Sequence, residues 1–134
     1  MKVIPLFASA GISGFESPCA EYSQLDLSLD ELLVERPSSS FLAFAQGESM
    51  QGVGIYDGDL LIIDRFPVAQ ESDVIVANLN GEFVCKIISF KRRELMSANR
   101  NYSSVTISEE DTFTIEGVVV SSIRMFKKSY LLSA

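Results

Sequence analysis

The dipeptide Asn80-Gly81 separates two apolar segments, Asp73 to Leu79 and Glu82 to Phe90. Both residues tolerate a positive φ, which a two-residue turn between antiparallel strands requires, so a β-hairpin is predicted here. Many short strands with little helix favour a mostly β fold, in which twisted antiparallel sheets form a partial barrel. The other segments with strand character are Phe41 to Gln46, Leu60 to Asp64, a weak one near Leu95, and Phe113 to Phe126 with a break at Gly117.

The first part of the chain lacks a regular period. Residues 1–25 contain several proline, glycine and serine residues that interrupt helical and strand patterns, so we expect an extended, mobile or peripheral N-terminal arm. Ser28 fits a helix N-cap with Glu31 three residues later, which predicts one short helix that Pro37 stops. Residues 26–134 are expected to form one compact β domain, because the chain of 134 residues is 47% hydrophobic.

Charge and cysteine content exclude several classes of protein. The net charge is −7, which disfavours direct binding to the phosphate backbone of nucleic acid. Cys19 and Cys85 do not have metal-ligand spacing and the chain has no histidine, so we expect neither a metal nor another cofactor. The apolar stretch after Lys2 is too short for a secretory signal, and no segment approaches the ~20 apolar residues that span a bilayer. We therefore expect a cytoplasmic location.

A serine and a lysine are the candidate catalytic residues. Ser49 lies in Gly47-Glu48-Ser49-Met50, directly after a predicted strand, and Lys86 lies in the apolar run 83–88. Without histidine, a nucleophilic serine needs another base. Burial disfavours the charged ammonium form of lysine, and a neutral amine can accept a proton. The pair therefore suggests a serine–lysine hydrolase.

Each of these residues also has a simpler interpretation. Lys86 could extend its amine into water at the edge of a sheet. Ser49 could belong to an ordinary polar turn, in which glycine and serine are common. Only the combination of the two residues favours catalysis.

Three segments resemble the LexA-type self-cleaving serine peptidases. They are the Gly47–Met50 motif around the nucleophile, the following segment from Ile55 to Asp64, and the hairpin from Asn80 to Lys86 that bears the lysine. Within this group the chain most resembles the UmuD-like branch, the accessory subunits of translesion DNA polymerase V. That likeness extends from Gly14 to about Arg124. The fold implied is the LexA and signal-peptidase type.

The resemblance also implies roles for individual residues. Ser49 would be the nucleophile, neutral Lys86 the general base, and the main-chain N–H groups of Ser49 and Met50 the oxyanion donors. The substrate would be the protein's own arm. By similarity the scissile bond is Ser13-Gly14, although relatives usually have cysteine or alanine before the glycine. Ala10-Gly11, three residues upstream, is the alternative bond.

The partners are implied by the resemblance alone. They are a second copy of the chain in a homodimer, a RecA filament on single-stranded DNA that stimulates cleavage, and a Y-family polymerase subunit of the UmuC-like type. The implied function is SOS mutagenesis, in which the trimmed protein serves the error-prone polymerase. The alternative is a non-cleaving family member that acts only as an interaction module or inhibitor. The repressor and signal peptidase branches are disfavoured, since neither a helix-turn-helix nor a membrane anchor is predicted.

Overall fold

The computed structural model of the chain describes residues 1–6 and 28–127. Within them lie one α-helix, α1 (Leu29–Leu33), and two 3₁₀ turns, Pro37–Ser39 and Gln51–Val53. No helix in this part of the chain is long and apolar enough to cross a membrane. The eight strands are β1 (Lys2–Leu6), β2 (Ser40–Gln46), β3 (Leu60–Asp64), β4 (Val74–Leu79), β5 (Glu82–Ser89), β6 (Glu94–Met96), β7 (Val105–Thr106) and β8 (Phe113–Ile123).

Six of these strands form a closed antiparallel barrel. The order is β1-β2-β3-β8-β4-β5, and a pairing between β1 and β5 closes the ring. Strands β6 and β7 continue the sheet beyond the end of β5. The predicted mostly β, antiparallel fold is confirmed, and the barrel is complete rather than partial.

The strand that completes the ring comes from the predicted arm. β1 pairs with β2 from Lys2↔Gln46 to Leu6↔Leu42. Burial alternates along residues 1–4, since the side chains of Met1 and Val3 are buried and those of Lys2 and Ile4 are exposed. Residues 7–25 lie outside the described part of the chain, so the boundary predicted between arm and domain remains a prediction.

The core fills the barrel interior. β3 is buried at all five positions because β2 and β8 flank it and both of its faces are covered. The interior cluster consists of Met1, Val3, Ala43, Ala45, Met50, Ile55, Leu61, Ile63, Val76 and Cys85. A second cluster, formed by Ile75, Ala77, Ile88 and Leu95, packs on the other face of β4 and β5.

Two local predictions are confirmed by backbone geometry. Asn80 and Gly81 have φ values of 52° and 90°, as the hairpin turn between β4 and β5 requires. The Ser28 hydroxyl accepts a hydrogen bond from the Glu31 N–H at 3.1 Å, which caps α1.

Gly117 marks a point of close packing within β8. A Cβ atom there would lie 2.6 Å from Ile63 Cγ2 and 2.9 Å from the Asp64 carbonyl oxygen, so only glycine fits. The pairing with β4 shifts register next to this residue. The predicted break is therefore a bulge, and the strand continues through it to Ile123.

Two buried carboxylates, one directly before β3 and one at its last residue, each pair with an arginine. Arg124 donates to both Asp59 carboxylate oxygens, at 2.9 and 2.8 Å, and also to the Gly54 carbonyl oxygen at 3.1 Å. Arg36 donates to Asp64 at 2.9 Å. Burial alone would raise the pKa of Asp59, but hydrogen bonds from Arg124 and from the Tyr56 N–H, with the charge of Arg124, hold it below its ordinary value.

The Asp59–Arg124 pair makes the stability of the fold depend on pH. A carboxylate whose pKa is lower in the folded state contributes stability above its unfolded pKa, and that contribution is lost as the pH falls through the folded pKa. We expect Asp59→Asn to reduce the free energy of unfolding at neutral pH by about 1–3 kcal/mol. The loss of stability on acidification from about pH 5 to about pH 2 should also become shallower.

Urea denaturation across this pH range measures both effects. Glu110→Gln is the control, since that side chain is exposed. A pH dependence for Asp59→Asn that equals the wild-type curve would contradict this account of the buried pair.

Candidate active site

Ser49 lies in the turn that follows β2. Gly47 has a φ of 109°, and its N–H donates to Asp57 Oδ1 at 2.8 Å, so the chain turns sharply as it leaves the strand. The next side chain after Ser49, that of Met50, is fully buried in the core. The Ile55 N–H donates to the Met50 carbonyl oxygen at 3.2 Å. The turn is therefore anchored directly beside Ser49, whose own exposure is 1%.

Backbone hydrogen bonds join this turn to the segment after β6. The Ala98 N–H donates to the Ser49 carbonyl oxygen at 2.7 Å, and the Gly52 N–H donates to the Ala98 carbonyl oxygen at 2.6 Å. The Asn99 side-chain amide adds a bond to the Glu48 carbonyl oxygen at 2.9 Å. Glycine is required at position 52, because a Cβ atom would lie 2.5 Å from the Ala98 oxygen.

Lys86 reaches Ser49 from β5. Its amine Nζ lies 3.4 Å from Ser49 Oγ and 2.7 Å from Ser97 Oγ, and the side chain is partly buried. The Tyr102 ring lies near the amine, with its centroid 6.0 Å from Lys86 Nζ. The structure therefore brings together the two residues that the sequence indicates as catalytic.

Ser97 is a site residue that the sequence analysis did not assign. It directly follows β6, which pairs with the end of β5, and this pairing carries its hydroxyl to Lys86. No role for Ser97 follows from its neighbours in sequence, because its contact with Lys86 depends on the register between two strands.

The end of β1 also lies in this site. The Met1 α-amine donates to Ser49 Oγ at 2.5 Å, and the Met1 carbonyl oxygen accepts from the Cys85 N–H at 2.8 Å. Burial and the neighbouring charge of Lys86 lower the pKa of this α-amine to about 5. The Met1 amine is therefore largely neutral at neutral pH.

Cys85 does not compete as a nucleophile. Its side chain is fully buried, and burial raises the pKa of the thiol to about 12, so the reactive thiolate is scarce at neutral pH. Ser49 therefore remains the candidate nucleophile.

The N–H groups of Ser49 and Met50 are the predicted oxyanion donors. Among the hydrogen bonds within residues 1–6 and 28–127, neither group has an acceptor. The same part of the chain contains no group of three or more histidine, cysteine or acidic residues that could hold a metal ion. The candidate cleavage residues Ser13, Gly14, Ala10 and Gly11 lie outside the described residues.

A serine hydroxyl 3.4 Å from a lysine amine is an arrangement that can support nucleophilic catalysis. The chain belongs to the Peptidase S24-like family, whose sequence profile matches residues 3–120. This membership and the relatives described next confirm the predicted LexA-type, UmuD-like resemblance.

Three relatives illustrate the match. Protein ImpA of Salmonella typhimurium is 33% identical over 121 residues, which are 90% of this chain and 83% of ImpA. Protein SamA of Salmonella typhimurium strain LT2 is 33% identical over 120 residues, 89% of this chain and 84% of SamA. The LexA repressor of Oleidesulfovibrio alaskensis is 31% identical over 127 residues, 90% of this chain and 54% of the repressor.

Proposed function

We propose that this protein is a UmuD-like serine endopeptidase that removes its own N-terminal arm with a Ser49–Lys86 dyad. The observation that carries the proposal is the 3.4 Å distance between Lys86 Nζ and Ser49 Oγ in a chain that has no histidine. Catalytic hydrogen bonds are often long before substrate binds and shorten in the reactive complex.

The chemistry follows the usual acyl-transfer sequence. Neutral Lys86 accepts the Ser49 hydroxyl proton while Oγ attacks the carbonyl carbon of the scissile bond. The N–H groups of Ser49 and Met50 stabilise the oxyanion, and Lys86 then donates the proton to the departing amine. Water hydrolyses the ester that remains on Ser49. In the structure the Met1 α-amine is hydrogen-bonded to the Ser49 hydroxyl, so this hydrogen bond must break before Ser49 attacks.

Ser97 positions the base in this scheme. A neutral lysine amine has two N–H donors and one lone pair, and a hydrogen bond to Ser97 Oγ at 2.7 Å engages one donor. This contact restricts rotation of the amine and directs its lone pair towards Ser49 Oγ. The role concerns orientation, because Ser97 need not touch the substrate.

The reach of the chain favours Ser13-Gly14 as the bond cleaved in cis. β1 starts beside Ser49 and extends away from it, so Leu6 lies about 17 Å from the nucleophile. Ser13 is seven residues beyond Leu6 and can return over about 25 Å, whereas Ala10 is four residues beyond and reaches about 14 Å. While β1 is in place, the Ala10-Gly11 bond would therefore need an almost fully extended chain to reach Ser49, whereas the Ser13-Gly14 bond would not.

The biological role is proposed from family membership. The UmuD-like relatives and the S24-like family support a function in SOS mutagenesis. Stimulation of cleavage by a RecA filament on single-stranded DNA is proposed from the family resemblance alone. The trimmed homodimer would then join a Y-family, UmuC-like polymerase subunit in the cytoplasm. The net charge of −7 agrees with protein partners rather than direct contact with DNA.

Substitution of either member of the dyad tests the enzymology. We expect Ser49→Ala and Lys86→Met to slow self-cleavage at least about a thousandfold, because each removes a group that forms or breaks a bond. Intact-mass spectrometry of the purified chain, with and without RecA filaments, measures the loss of residues 1–13. Ser103→Ala and Lys91→Met are matched controls, since both side chains are exposed.

Two results would refute the proposal. Cleavage of Ser49→Ala at the wild-type rate would exclude Ser49 as the nucleophile. A wild-type chain that stays intact with and without filaments would favour the non-cleaving alternative.

The role of Ser97 has its own test. We expect Ser97→Ala to slow self-cleavage about ten- to a hundredfold, because the amine loses the contact that orients it. Ser97→Thr retains the hydroxyl and should restore most of the rate, as measured by the same mass assay. Equal rates for wild type and Ser97→Ala would contradict a positioning role.

A further inference from the structure

Strand β1 is attached to the barrel unequally on its two sides. It pairs with β2 along its whole length, from Lys2 to Leu6. Within the described residues, its pairing with β5 is limited to Lys2↔Val84 and the hydrogen bond from the Cys85 N–H to the Met1 carbonyl oxygen. The seam that closes the barrel is therefore its weakest.

The other strands do not need β1 for their own pairing. The remaining order, β2-β3-β8-β4-β5-β6-β7, is a continuous antiparallel sheet. Residues 1–6 contribute two buried side chains to the interior, those of Met1, directly before β1, and Val3, near the start of the strand and close to Ser49. Its removal would leave an apolar groove between two strand edges, and such edges readily pair with an added strand.

Both candidate scissile bonds follow β1 in the chain. Cleavage at either bond, which is part of the proposed function, would leave β1 held by noncovalent contacts alone. We propose that the groove between β2 and β5 is a peptide-binding site, and that residues 1–6 of this chain are its ligand. Cleavage would make this ligand exchangeable with the same segment from another copy.

Recognition would combine backbone pairing with side-chain pattern. The antiparallel pairing with β2 supplies main-chain hydrogen bonds, as in other cases of strand addition. Specificity would come from the two alternating interior positions, because Val3 is 6% exposed and Ile4, the next residue, is 48% exposed. When the segment leaves, the edges of β2 and β5 and the Ser49 site become open together.

The test separates strand exchange from self-cleavage. A recognition sequence for a foreign protease is placed within residues 7–13 of the full-length Ser49→Ala chain, which is cut after folding. A fluorescent synthetic peptide of residues 1–13 is then added, and its anisotropy is measured. We expect saturable binding to the cut chain and at least about thirtyfold weaker binding to the uncut chain, whose own β1 occupies the groove at high effective concentration.

Two altered peptides locate the binding site. Val3→Glu would bury a carboxylate in the interior, so it should bind at least about thirtyfold more weakly. Ile4→Glu places the same charge on the exposed face and should change affinity by less than about threefold.

Several results would overturn the proposal. Absence of binding to the cut chain would show that residues 1–6 do not exchange. Equal affinities of the two altered peptides would place the peptide elsewhere than the groove. Unfolding of the body on cutting, seen as collapse of its amide NMR spectrum, would show that β1 is not a separable strand.

Discussion

The position of Ser49, the proposed nucleophile, depends on two backbone hydrogen bonds between the turn after β2 and the segment after β6. They join Ser49 to Ala98 and Ala98 to Gly52, at 2.7 and 2.6 Å. Because these bonds involve main-chain atoms, the sheet register sets the position of Ser49. β5, which pairs with both β4 and β6, places Lys86 at this junction. The serine–lysine contact is therefore a consequence of strand pairing.

The same barrel explains how a polar site exists beside an apolar interior. Met50 and Cys85, each adjacent in sequence to a site residue, are fully buried in the core, and they fix the backbone from which Ser49 and Lys86 extend. The hydroxyl of Ser97 and that of Ser49 provide hydrogen-bond partners for the lysine amine. A partly buried amine is tolerated when such partners are present, because they replace part of its hydration.

Local sequence signals predicted the elements that depend on neighbouring residues. The Asn80-Gly81 turn, the Ser28 cap and the bounds of β3 follow from backbone preferences and apolar runs that a short window contains. The Ser49–Lys86 contact was also predicted, from the chemistry of a buried amine and from family resemblance. The turn, the cap and the strand bounds need no knowledge of the overall fold, whereas the Ser49–Lys86 contact depends on strand pairing and was inferred from the residue types and the resemblance.

Other features that depend on distant residues were not predicted. β1 was assigned to an irregular arm because Pro5 interrupts a short pattern, yet pairing with β2 makes it a strand. The contact between Ser97 and Lys86 depends on strand register. Asp59 resembles an ordinary turn residue, and its burial depends on Arg124, 65 residues later.

The central claim is that the amine of Lys86, in its neutral form, accepts the proton of Ser49. The most direct measurement is the first-order rate constant of self-cleavage of the wild-type chain from about pH 6 to about pH 10. The account predicts a rate constant that rises with pH in this range, because a larger fraction of the amine is neutral at higher pH. A rate constant that stays the same across this range, or falls as the pH rises, would contradict it.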